Sequence, residues 1–285
     1  MISIIVYHYF VHGGFNIVNL ETLTNSYMVL QSIAMFGRTA CSIFAIITGY
    51  YMIESKLINH YHRLGYLAFQ ILFYSVLIWS IIPTFTMNVW SFSNFDFFLV
   101  MYVIGAYLRL YFVGKVKYKN IINFIGLISS MVLMILSSFV ITFVAYFLKS
   151  DVILHKAMYF REMYTILSVC CAVFAFLFFL NINLYNKYIN YMSKSIFAIY
   201  LIHDSNILRP IIWEKLFPNI NYLSFPYMHL IIKVSVIFML CLLVDSVRRW
   251  LLEDKMNKMV DILFDKIKNV FNVIHLKLQK YINFE

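Results

Sequence analysis

A polytopic all-α bundle in a lipid bilayer is the architecture this sequence encodes, on three counts. Hydrophobic residues fill 62% of its 285 positions and charged residues only 13%, about half the roughly 25% charge of a soluble domain. Mean hydropathy is +0.79, and the apolar residues gather into runs near the ~20 residues that cross a bilayer. The basic residues fall mostly into alternate short loops, as membrane orientation requires. The net charge of +10 is thus an orientation signal, and no nucleic-acid partner is expected.

Eight apolar segments follow in order, near residues 1–12, 28–53, 64–84, 96–113, 121–148, 164–182, 195–212 and 226–250. The first holds about a dozen residues, too few to cross unaided. It lacks the basic region, short apolar core and small-residue cleavage site of a signal peptide. The seventh, SIFAIYLIHDSNILRP, is polar at its centre. Loops 13–27 and 85–95 contain no Lys or Arg. The intervening loops carry Lys56 and Arg63, then Lys115, Lys117 and Lys119, then Lys187 and Lys194, and further basic residues run from Arg248 to Lys280. Both termini are therefore expected on the cytoplasmic side of the cell membrane. Loop 149–163 is the exception, because Lys149, Lys156 and Arg161 fall on the outer face.

After residue 252 the character changes. Met256, Val260, Leu263, Ile267, Val270, Ile274 and Leu278 recur at three- and four-residue steps with lysines between them. Such a basic amphipathic helix suits an anionic cytoplasmic leaflet. The chain thus divides into a transmembrane domain, 1–252, and an interfacial tail, 253–285.

Chemistry is sought in the ionisable residues at membrane depth, which are costly and so tend to face a cavity or mark a site. They are His8, Arg38, Arg109, His203, Asp204, Arg209, Lys233 and Asp245. Arg109, Lys233 and Asp245 lie near segment ends, where snorkelling to the headgroups suffices. Arg38 lies deeper and offers a guanidinium fork to phosphate or carboxylate. His203 and Asp204 are adjacent, but neighbours on a helix diverge by about 100°, so Asp204 or Ser205 can equally cap a helix break.

His8 and His12 share one helix face, just before Gly13 and Gly14. Two donors make no metal site and no third stands at useful spacing, so no metal is expected. His12 reads as solvated at the outer surface, while His8, one turn deeper, suits a general base or a structural imidazole. Cys41, Cys170, Cys171 and Cys241 sit within apolar runs as small hydrophobes.

Four stretches, IIVYHYFVHGGF, FGRTACSIFAIITGYYMIESK, MYVIGAYLRLY and SIFAIYLIHDSNILR, resemble the membrane-bound acyltransferase 3 family in the family's order. Its members include O-acetyltransferases of bacterial surface polysaccharides. The resemblance implies a bundle of about ten helices that takes acetyl-CoA, or another acyl-CoA, from the cytoplasm and passes the acyl group to a sugar hydroxyl at the outer face. It implies no bound cofactor. His8 matches the family's catalytic histidine, and Arg38, Thr48, Tyr50, His203, Asp204 and Arg209 become candidate contacts to the acyl donor or the envelope glycan. Thr48-Gly49-Tyr50 stands where the family has Ser-Gly-Tyr/Phe.

The family also carries an Arg eleven residues before that histidine. Counting back from His8 passes Met1, and eight segments stand against about ten. The resemblance thus predicts a frame truncated at its N-terminus and short in the middle. Two other functions fit the buried charges: a transporter or flippase of an anionic or sugar-linked substrate, and an inactive remnant of the transferase.

Overall fold

The computed structural model describes residues 1–13, 20, 23–53, 95–112, 120–163, 165–216 and 226–282, which are mostly helical with no strand among them. The segment expected at 64–84 lies outside these residues. The helices are α1 (Ile2–His12), α2 (Asn25–Ala34), α3 (Gly37–Met52), α4 (Phe95–Tyr107), α5 (Asn120–Phe147), α6 (Asp151–Leu154), α7 (Ile166–Leu180), α8 (Lys187–Ser193), α9 (Ile196–His203), α10 (Leu208–Pro210) and α11 (Pro226–Ile282). Wider π turns extend α4 over Leu108–Phe112 and α10 over Ile211–Leu216. Four helical stretches are long and apolar enough to cross a membrane: Asn25–Met52, Asn120–Phe147, Asp151–Leu180 and Pro226–Leu263. Ile2–His12 and Val100–Tyr111 are shorter apolar helices.

α5 shows how the polarity is arranged. Its buried residues include Asn123, Ser130, Ser138, Thr142 and Ala145, whereas Ile125, Val140 and Phe143 are exposed. In lipid the apolar side chains gain nothing by turning inward, so small and polar residues fill helix interfaces and hydrogen-bond across them. The Gln31 amide of α2 accordingly donates to Ser138 Oγ of α5 at 2.6 Å.

The segment read as continuous over 28–53 is broken between α2 and α3. Ser32 Oγ donates back to the Met28 carbonyl at 2.8 Å, a bond that competes with the helix ladder and bends helices. Gly37 follows the break, and a Cβ there would fall 2.0 Å from Tyr7 Cβ. The missing side chain lets α3 start directly against α1.

α3 and α4 cross more closely still. A Cβ on Gly49 would lie 1.9 Å from the Tyr102 carbonyl oxygen, and one on Gly105 2.2 Å from the Ile46 carbonyl oxygen. Reciprocal glycines thus bring the two backbones into contact, as small residues do in membrane bundles. Around them Ile46, Tyr50, Met101, Leu108, Ala172 and Phe176 form one buried cluster. The larger cluster joins α1, α2, α9 and α11 through residues such as Tyr9, Phe10, Met35, Ile199, Trp213 and Val234.

One helix, α11, runs from Pro226 to Ile282 and passes through 252/253 without interruption. Leucine, lysine and methionine, all good helix formers, recur on both sides of this point, so the helix continues while its polarity changes. Snorkelling does not describe Lys233 or Asp245, which are fully buried. Lys233 Nζ donates to the Trp213 carbonyl at 3.2 Å and sits 5.6 Å and 5.1 Å from the Tyr9 and Trp213 ring centres. Asp245 is held by Arg248 at 2.7 Å and Arg249 at 3.3 Å. Inward pairing meets the cost of charge where the headgroups are not reached.

Candidate functional site

The polar break after α9 builds the site. Asp204 closes that helix, its backbone N–H directed to the Tyr200 and Ile202 carbonyls. Ser205 Oγ accepts from the Leu208 N–H at 3.1 Å, and the Arg209 N–H reaches the Ser205 carbonyl at 2.9 Å. Arg209 then folds back, so that Nη2 donates to Asp204 Oδ1 at 2.7 Å and to the Asp204 carbonyl at 3.0 Å. The carboxylate is fixed by its own loop before it meets any other element.

It faces His8 of α1. His8 Nδ1 lies 3.2 Å from Asp204 Oδ1, an ion-pair approach without the alignment of a hydrogen bond. His8 is buried, with its ring centre 5.0 Å from that of His12 and 5.1 Å from that of His203. His203 is also buried, and its Nδ1 is 2.6 Å from the Ile199 carbonyl. A carbonyl only accepts, so His203 carries its proton on Nδ1 and presents a lone pair at Nε2.

Arg38 enters from the first turn of α3. Its Nε donates to Tyr7 Oη at 3.1 Å and its Nη1 to Glu162 Oε2. Glu162 also takes Arg161 Nη2 at 3.2 Å, and the Arg161 guanidinium lies 5.2 Å from the Tyr7 ring centre. Between these groups is a cavity of about 270 Å³, lined by Tyr7, His8, His12, Arg38, Asp204 and Arg209 among others. Each guanidinium on its wall is matched by a carboxylate. The wall therefore combines two ion pairs with imidazoles that can gain or lose a proton.

The fold thus gathers His8, Arg38, Asp204 and Arg209 at one cavity and sets His203 against His8. It does not bring Thr48 or Tyr50 there. Thr48 Oγ1 donates to the Phe44 carbonyl at 2.8 Å on an exposed face of α3. Tyr50 is buried at the α3–α4 crossing, where its hydroxyl accepts from Arg109 Nη1 at 3.1 Å. Gly49, between them, admits the Tyr102 backbone of α4.

Sequence reasoning gave His12 no role in the site and did not reach Tyr7 or Glu162. His12 is half-buried at the cavity wall and not simply solvated, and Glu162 joins the site through Arg38. A signal existed for His12 alone, its position one turn from His8. His8, His12 and Asp204 each offer one donor atom, and those atoms lie within 4.8 Å of one another. Compared with known protein families, curated proteins and solved structures, the chain matches none.

Proposed function

We propose that the chain is an integral-membrane O-acyltransferase, moving acetyl from acetyl-CoA to a hydroxyl of a cell-envelope polysaccharide or its precursor. One observation carries the reading: a buried imidazole, His8, faces a carboxylate that Arg209 holds in place, at the wall of a cavity. An imidazole whose Nδ1 is turned to a carboxylate is oriented to use Nε2 as a base. As the acceptor hydroxyl oxygen attacks the thioester carbonyl, Nε2 takes its proton. The carbonyl carbon gains a bond to that oxygen and loses its bond to sulfur. The departing thiolate recovers the proton from the imidazolium, giving free CoA thiol and the sugar ester. Asp204 stabilises the imidazolium between the two transfers.

Arg38 and Arg209 supply positive charge where the carbonyl oxygen becomes anionic. The cavity is slightly below the roughly 300–1,000 Å³ of small-molecule pockets, so it takes the reacting ends of donor and acceptor. Thr48 and Tyr50 have no part in this step. The basic loops orient the bundle with both termini cytoplasmic, which puts the donor inside and His12 toward the outer face.

Proton NMR of surface polysaccharide tests the reading in a parent strain, a deletion strain and the deletion complemented with this chain. Loss of O-acetyl signal on deletion, with recovery on complementation by wild type but not by His8→Ala, is the expected result. Unchanged O-acetylation on deletion overturns it. The same buried charges then fit transport of an anionic or sugar-linked substrate, which labelled-substrate accumulation in vesicles measures.

A further inference from the structure

We propose that His8, His12 and Asp204 form a site for a borderline divalent cation of the zinc type, with the cavity as its open coordination position. The set is chemically suited, because two imidazoles and one carboxylate are a donor trio that zinc takes in sites keeping a fourth position for water or substrate. The geometry is close to formed. Zinc–nitrogen and zinc–oxygen bonds near 2.0–2.1 Å put tetrahedral donors about 3.3 Å apart, and His8 Nδ1 already stands 3.2 Å from Asp204 Oδ1. Only His12 has to close, since the donor atoms span up to 4.8 Å. It is the last residue of α1, half-buried and followed by Gly13, where a side-chain rotation is cheap.

A second observation points the same way. His8 is 6% exposed, and its Nδ1 has no aligned hydrogen-bond partner among the described residues although it is turned toward a carboxylate. A buried polar nitrogen without a partner costs about 1–3 kcal/mol. An ion between Nδ1 and Oδ1 removes that cost, and the adjoining cavity admits it.

Arg209 opposes the ion, because it holds the same Oδ1 at 2.7 Å. Binding is therefore weaker than at a structural zinc site and reversible. The inference is independent of the acyltransferase reading, but it has a consequence if that reading holds. A neutral imidazole has one lone pair, so zinc on Nδ1 leaves the proton on Nε2 and removes the base. The ion would then act as an inhibitor.

The test uses the full chain purified in detergent, with zinc titrated by calorimetry and cobalt(II) as a spectroscopic stand-in. One zinc per chain is expected, with a tetrahedral cobalt spectrum. His12→Ala should weaken binding at least tenfold at unchanged helical content, and Arg209→Gln should tighten it several-fold by releasing Oδ1. Absence of saturable zinc binding, or equal binding by wild type and His12→Ala, overturns the site. Zinc binding by a chain that transfers no acyl group even when metal-free leaves the site standing and sinks the enzyme reading; acyl transfer without zinc binding does the reverse.

Discussion

Asp204 sits 3.2 Å from His8 because Arg209, five residues on, pins it there. The carboxylate serves two partners through one oxygen, Oδ1, and couples the polar break after α9 to the first helix. Loss of Asp204 would leave Arg209 without its carboxylate and His8 without orientation. On the proposed mechanism Asp204→Asn lowers acyl transfer about 10²–10⁴-fold, the range associated with a mis-set base. The protein should still reach the membrane, and O-acetyl content measured at matched membrane abundance checks this. Wild-type transfer by the variant would remove Asp204 from the mechanism.

The α3–α4 crossing makes a prediction about stability. Alanine at Gly49 or Gly105 drives a Cβ into backbone oxygen, and overpacking of this kind costs about 1–3 kcal/mol. Gly126→Ala should cost less, because its Cβ meets the Phe174 ring at 2.6 Å, and a side chain can turn aside where a carbonyl cannot. Thermal unfolding in detergent ranks the three. A Gly126 variant as unstable as the Gly49 variant would contradict the crossing.

Asp245 is the acid at the centre of a buried trio with Arg248 and Arg249. Asp245→Ala removes the carboxylate that two guanidiniums share and should cost up to about 3–5 kcal/mol, whereas exchanging the whole trio for apolar residues of similar size should recover most of it. Denaturant titration of the single and triple variants gives both numbers. A single variant at wild-type stability would show that the trio is not buried in the membrane-embedded protein.

Orientation is tested by cysteine labelling in intact cells. On a background without the four native cysteines, Lys187→Cys should be shielded from an impermeant maleimide and Lys156→Cys should react. The opposite pattern would invert the bundle and put His12 on the cytoplasmic side.

Two of the long apolar helices were legible in the sequence nearly to the residue. The run at 121–148 is α5 over Asn120–Phe147, and the run at 164–182 contains α7 over Ile166–Leu180. Period and length decide such elements locally. The break at Met35–Phe36 was hidden, because no proline or glycine pair marks it in the sequence. Of the site, the unusual residues were legible and their company was not. Depth in an apolar run marked His8, Arg38, His203 and Asp204. Nothing local pairs His8 with Asp204 or Arg38 with Glu162, since those contacts depend on how α1, α3 and the loop after α6 pack. Thr48 and Tyr50 went the other way, because a motif resemblance does not say which side of the helix is used.

α11 carries a mechanical consequence. Its 57 residues, at 1.5 Å each, make a rod of about 86 Å, against a hydrocarbon layer about 30 Å thick. Set along a membrane normal, more than half its length would extend beyond that layer. Near the other end the same rod holds Lys233 against Trp213, whose ring is 6.3 Å from that of His8. The helix that carries the basic end thus also packs beside the ring that neighbours His8.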